Sequence, residues 1–386
     1  MPLSEVLYQD RAQERFQRAL AVDRVPHAYL FTGPDGIGKE MLAARLAAVL
    51  LCPHPKQVQP LGSPDGALDT WQDACGQCVD CQLMAADNHP DFHRIYRTLS
   101  KLHPDKTIQR RKAVELGIDV IRHFLIEKIG LRPARGRAKV FIIIEAERLT
   151  PAAQNAMLKT LEEPPEHSHL ILLAASADTL LDTTRSRCQQ IAFAALPAEF
   201  IRTHLTEHQH LSPQDATFLA ELAQGSLGAA VRCATYGLHE QVPRLLELLA
   251  GVGCDPLGCA KTLQNMAKTL GDKITKATKT SEDEEGVDLN AARRAQAMTM
   301  SMVSTILRDV LRAAVGHDAA ALPSSPQISR LADRTTPQAV RQAIRAVNSA
   351  EYQIGRNANT GLIFDALAIA LGRGLAPAAT RHAIAR

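Results

Sequence analysis

The sequence predicts an α/β domain with a parallel sheet, followed by two all-helical domains. A Gly-rich turn stands between a short apolar strand and an amphipathic helix near the N-terminus, and two later strand-length runs are apolar on both faces. Strand signals then stop near residue 196. A chain of 386 residues is too long for one ordinary core, so two or three domains are expected. Its 46% apolar and 22% charged residues exclude a chain disordered throughout. A net charge of +3 gives no uniformly basic wrapping surface for nucleic acid, although local patches stay open.

The elements follow in order. "MPLSEVLYQDRAQERFQRAL" is charged and amphipathic without the apolar core of a signal peptide, and no segment offers eighteen uninterrupted apolar residues. A cytoplasmic protein without membrane contact is expected. "HAYLFTG" (His27 to Gly33) reads as a strand and "KEMLAARLAAVLL" (Lys39 to Leu51) as the helix leaving the turn. "AKVFIIIEA" (Ala138 to Ala146) and "HLILLAAS" (His169 to Ser176) lack alternation, as central parallel strands do when helices cover both faces. Between them Thr150 and Pro151 open a helix that Pro164 and Pro165 end.

From Pro197 onward only helices are predicted, among them one that starts at Ser212-Pro213 with Asp215 completing a capping box. The expected domains are 1–196, 197–241 and 242–386. A cysteine module is inserted at 52–81, and "KITKATKTSEDEEGVD" (273–288) is expected to be a mobile loop because it lacks apolar periodicity.

Gly33, Gly36, Gly38 and Lys39 in "GPDGIGK" match the phosphate-loop template, in which backbone N–H groups converge on the phosphates and the lysine neutralises them. The template next asks for a Ser or Thr hydroxyl to ligate magnesium, and here stands Glu40. The strand ending "FIIIEAERL" should deliver an aspartate for the same metal; Ile144 occupies that place and only Glu145 remains. The motif therefore reads either as a degenerate nucleotide site, where ATP or ADP could bind without hydrolysis, or as a Gly-rich turn that never meets nucleotide.

Cys75, Cys78 and Cys81 in "CGQCVDC", with Cys52 past the helix after the loop, supply four thiolates for one structural zinc with no open position. Ordinary reduced thiols, or His54 in place of one ligand, are the alternatives. Cys188, Cys233, Cys254 and Cys259 show no such grouping and read as buried apolar residues. Glu162 and Glu163, adjacent on a helix, cannot face each other as an acid and base pair and read as a polar helix end. "RPARGRAK" and the stretch from residue 109 to 112 are basic without aromatics and fit DNA phosphate contact or a solvated turn.

"HAYLFTGPDGIGKE", "CGQCVDC", "PARGRAKVFIII", "NAMLKTLEEPPE" and "TRSRC", in this order, resemble the bacterial replicative clamp-loader subunits of the AAA+ superfamily. The resemblance covers about the first 235 residues. It implies an AAA+ phosphate-loop domain, a small helical lid and an all-α collar. The partners implied are the gamma or tau ATPase subunits and the delta subunit of DNA polymerase III, and through the complex the sliding clamp and primer-template DNA.

ATP-hydrolysing members of this family would carry Ser or Thr at 40, Asp at 144 and a sensor arginine at 228, where this chain has Glu40, Ile144 and Gly228. The three losses imply the non-hydrolysing, delta-prime-like branch, with no ATPase activity of its own. Arg187 in "SRC" is similar to the arginine finger that one subunit inserts into its neighbour's ATP site; read from the residues alone it is a solvated or salt-bridged arginine. An active ATPase with an unusual magnesium site formed by Glu40 and Glu145, or a zinc-dependent DNA-binding protein, are the competing readings.

Overall fold

The computed structural model describes residues 3, 6–58, 71–111, 113–135, 137–279, 287–322, 325–356 and 359–375. The chain divides into two compact units, Met1–Ala195 and Leu196–Arg386.

The first unit contains strands β1 (Ala28–Thr32), β2 (Lys56–Val58), β3 (Trp71–Asp73), β4 (Phe92–Ile95), β5 (Lys139–Ile143), β6 (Ser168–Ala174) and β7 (Gln189–Ala192). Five of them form one sheet in the order β4-β5-β6-β1-β7. Every pairing in it is parallel. In the register Phe141 pairs with Leu170 and Leu30 with Leu172. Side chains alternate across the pleat, so Tyr29, Phe31, Val140, Ile142, Ile171 and Leu173 join one apolar cluster while Leu30, Phe141, Ile143, Leu170 and Leu172 join another. The runs without alternation are strands buried on both faces. This is the parallel, helix-covered sheet that the apolar runs predict.

Four helices of this unit position the site: α1 (Asp10–Ala21), α2 (Lys39–Leu51), α3 (Val79–Ala85) and α4 (Pro151–Glu162). Helix α2 has the bounds the sequence predicts, and Thr150 caps α4 by accepting from the Ala153 N–H at 3.2 Å. Three glutamines tie α1 down. Gln9 donates to the Ala194 carbonyl at 2.9 Å, Gln13 donates to the Val6 carbonyl, and Gln17 exchanges two hydrogen bonds with the Gln72 backbone at 2.9 and 2.7 Å. Because Gln72 lies on β3, the last pair attaches the small β2-β3 hairpin to the body of the domain.

The second unit is helical among its described residues: α5 (Ala198–Gln209), α6 (Pro213–Leu222), α7 (Leu227–Thr235), α8 (Val242–Gly251), α9 (Pro256–Lys279), α10 (Val287–Ala314), α11 (Pro326–Arg334), α12 (Pro337–Gly355) and α13 (Thr360–Leu375). Ser212 caps α6, its Oγ accepting from the Asp215 N–H at 3.2 Å, and the Asp215 carboxylate reciprocates through the Ser212 hydroxyl at 2.6 Å, in place of the backbone amide that the expected capping box would use. Leu205, Leu219, Leu238, Val242, Leu245 and Leu371 all belong to one apolar cluster, so the boundary expected at 241/242 falls inside a shared core.

The loop expected over 273–288 is shorter than the sequence suggests. Helix α9 runs on to Lys279 because Ile274, four residues after Leu270, continues its buried stripe; both side chains are fully buried. Helix α10 begins at Val287, and residues 280–286 lie outside the described residues. Among the described residues no helix is long and apolar enough to cross a membrane.

Candidate functional site

The Gly-rich turn leaves the C-terminal end of β1 and enters α2, the place where a parallel sheet offers backbone N–H groups to an anion. Gly33 has φ 142°, and a Cβ there would lie 2.7 Å from Ile37 Cδ1 and 3.0 Å from the Phe193 carbonyl oxygen. Gly38 caps α2 in the left-handed region at φ 100°. Both positions therefore need glycine. Lys39 is only 6% exposed and folds back over the loop, donating to the Gly33 carbonyl, the Pro34 carbonyl at 2.8 Å and the Asp35 carboxylate at 3.4 Å.

The two acidic groups nearest the missing magnesium ligands are already engaged. Glu40 accepts from Arg94 Nε at 3.1 Å, and Arg94 also pairs with Asp87. Glu145 accepts from Arg97 Nε at 2.8 Å, while Arg97 Nη1 donates to the Ala113 carbonyl at 3.0 Å. Ile144 packs against the apolar cluster beneath the loop. A carboxylate held by a guanidinium is a poor ligand for a second cation, since the metal would have to displace the arginine. Position 228, on α7 just after the Ser226 cap, carries no side chain to reach a phosphate. Sequence reasoning missed Arg94 and Arg97. They sit 54 and 48 residues from their partners, and only the placement of β4 beside β5 brings them there.

Arg187 follows the short helix Asp182–Arg185. Its Nη2 lies 2.5 Å from Glu162 Oε1 and its Nη1 donates to the Thr183 carbonyl at 2.9 Å. The side chain is 34% exposed. Between a solvated and a salt-bridged side chain, Arg187 is salt-bridged, and its partner Glu162 is the polar helix end of α4. Neighbouring Arg185 is committed to Asp178 and Asp182 at 2.9 and 2.7 Å.

Cys52, Cys75, Cys78 and Cys81 converge, their sulfurs all within 4.8 Å of one another. Cys52 to Cys78 and Cys75 to Cys81 are 3.9 and 3.8 Å. Backbone N–H groups of Cys75, Cys78 and Cys81 point at the Cys52, Cys75 and Cys78 sulfurs at 3.5, 3.3 and 3.4 Å. The Gln77 and Cys78 amides hold the Cys75 thiol down at about 6. Burial pushes the Cys52 and Cys81 thiols up, so their thiolates need a cation beside them. The set is four converging sulfurs able to hold one metal ion; the His54 side chain is not part of it.

The basic turn before β5 serves this module. Arg135 pairs with Asp80, and Arg137 Nη1 donates to the Cys52 carbonyl at 2.6 Å. Asp91 accepts from the Ala134 and Arg135 amides at 2.7 and 2.8 Å. Burial opposes the Asp80 carboxylate, yet Arg135 and His89 outweigh it and hold its pKa below the usual range. Lys139 is buried on the Lys128 and Leu131 carbonyls at 3.1 and 3.0 Å. Two arginines and the lysine of "RPARGRAK" thus have internal roles. In the 109–112 stretch, Arg111 pairs with Asp119 at 2.9 Å, and Lys112 lies outside the described residues.

Cys188 and Cys233 are buried, and burial pushes their thiols up to about 12 and about 11. Cys254 departs from the expectation of burial: it is exposed where the chain turns between α8 and α9, and Cys259 is half-buried.

Residues 8–197 match the family model described as DNA polymerase III, delta subunit. The chain is 34% identical over 219 residues to DNA polymerase III subunit delta' of Escherichia coli (strain K12), covering 56% of this chain and 57% of that one. It is 25% identical over 368 residues to DNA polymerase III subunit delta' of Bacillus subtilis (strain 168), covering 95% and 97%. Similarity extends to DNA polymerase III subunit tau of Escherichia coli (strain K12), 32% identical over 233 residues, 59% of this chain and 32% of that one. The chain thus spans little more than half of the first relative and about a third of the last.

Proposed function

We propose that the chain, whose residues 8–197 match the family model described as DNA polymerase III, delta subunit, is a delta-prime-like, non-hydrolysing subunit of the replicative clamp loader. One observation carries the reading: Glu40, at one magnesium position of the template, and Glu145, next to the other, are bound to Arg94 and Arg97. Lys39 folded onto its own loop is consistent with a site that at most cradles nucleotide passively. The reading of an active ATPase with an unusual magnesium site would need those same carboxylates free.

In this role the chain acts as a stator beside gamma- or tau-like ATPase subunits and a delta subunit. Arg187 is supplied in trans to a neighbour's ATP site, where an arginine finger stabilises charge on the transferring phosphoryl. The assembly opens the sliding clamp and closes it on primer-template DNA in the cytoplasm. Residues 197–241 serve as the helical lid and 242–386 as the collar that joins the ring of subunits. Cys52, Cys75, Cys78 and Cys81 hold one structural zinc: sulfur separations of 3.8 and 3.9 Å suit a tetrahedron with Zn–S bonds of ~2.3 Å, whose edges are ~3.8 Å.

ATPase measurements on the isolated chain and on the reconstituted loader test the proposal. The isolated chain should show no magnesium-dependent turnover, and Arg187→Ala should slow hydrolysis at the neighbouring site by ~10³-fold or more. Substantial turnover by the chain alone, or full loader activity with Arg187→Ala, would overturn it.

A further inference from the structure

We infer that Glu162 is the positioning residue for Arg187, holding the guanidinium in the orientation in which it meets an adjacent subunit's nucleotide. The inference rests on the trans role proposed for Arg187. Glu162 is the last residue of α4, where the negative end of the helix dipole disfavours a carboxylate. The helix gains nothing from it. Its contact is instead the Arg187 Nη2 at 2.5 Å, reached across 25 residues of sequence because α4 packs against the Asp182–Arg185 turn.

The second anchor is the Thr183 carbonyl on Nη1 at 2.9 Å. A guanidinium has five N–H donors. Two are used by these anchors, so about three stay available to phosphate oxygens without releasing either. An arginine free in solvent loses much rotamer freedom when it is fixed, and one already held by two acceptors loses less at the moment of docking. The pair is half-exposed, with 34% and 49% of the two side chains accessible, so its contribution to the stability of the fold is small. Its effect therefore belongs in the rate of the neighbour's hydrolysis.

The test is a double-mutant cycle on DNA-stimulated ATP hydrolysis by the reconstituted loader, using Glu162→Ala, Arg187→Ala and the double variant. Glu162→Ala should lower kcat by about three- to five-fold with KM for ATP unchanged, the range that exposed ion pairs show. Glu162→Gln, which keeps an acceptor oxygen, should recover part of the loss. In the Arg187→Ala background Glu162→Ala should have no further effect, and the melting temperature of the chain should not move. An additive cycle, an unchanged or raised kcat, or a loss through KM would overturn the assignment. Should Arg187→Ala itself leave the loader fully active, the trans role fails first; a dead Arg187→Ala with a fully active Glu162→Ala removes only the positioning role.

Discussion

Arg94 Nε lies 3.1 Å from Glu40 Oε1, so the residue that stands where the phosphate-loop template has a hydroxyl is paired with a cation of the protein itself. Arg97 does the same for Glu145 at 2.8 Å. Any nucleotide bound at Gly33 to Lys39 should therefore bind without help from magnesium. Titrating the chain with ADP in magnesium and again in chelator should give the same shift in melting temperature. A magnesium-dependent gain near ~2.7 kcal/mol at a hundred times the dissociation constant would show a working metal site. Arg94→Ala should cost less than about 1 kcal/mol of stability, since the Glu40 carboxylate is half-exposed.

The cysteine module should depend on its metal. One zinc per chain should be found by elemental analysis, and Cys75→Ser or exhaustive chelation should remove it. Structural zinc contributes directly to folding, so unfolding of the first unit in urea should lose on the order of 3 kcal/mol or more. A chain that lacks zinc and unfolds as before would rule the site out.

How much of this could be read from residue order differs by feature. The glycines of the Gly-rich turn, the CGQCVDC cysteines and strands β1, β5 and β6 each declare themselves within a dozen residues, through spacing or unbroken apolar runs, while Cys52 stands 23 residues before Cys75. Strand β4, with the sequence FHRI, is only four residues long and three of them are half-buried, so it offers no periodic signal. The ion pairs that decide the chemistry depend on that strand. Glu162 was legible as a helix end, but its partner Arg187 is set by how α4 packs against the following turn. Likewise Ile274 continues the stripe of α9 through a segment whose composition suggests a loop.

Arg135 should matter for the cysteine module more than for any polyanion. Asp80 is 8% exposed and faces both Arg135 and His89, the latter at 3.2 Å. Truncating the arginine leaves a buried carboxylate with one partner fewer, while Arg135 itself is 40% exposed and partly screened. Arg135→Ala is therefore expected to cost about 1–3 kcal/mol in urea unfolding, below the cost of breaking a fully buried pair. Arg132→Ala, on the same turn, should be neutral within ~0.5 kcal/mol. Equal effects from the two would contradict the internal role of Arg135.

His93 on β4 supplies a pH dependence. Its ring stacks on Phe141 with centroids 4.7 Å apart, and burial, reinforced by Lys128 and Lys139, lowers its pKa to about 4. The unfolded chain holds this histidine near ~6.5, so between the two values the unfolded state binds more protons than the folded one. Stability is then complete above the unfolded value and is lost as pH falls from there toward the folded value. Melting temperatures measured at steps from pH 7.5 to 5 should decline, and His93→Phe, which keeps an aromatic ring against Phe141, should flatten that decline relative to the parent chain. An unchanged slope in the variant would assign the acid sensitivity elsewhere, with half-buried His169, whose pKa is also lowered by desolvation, the next residue to replace.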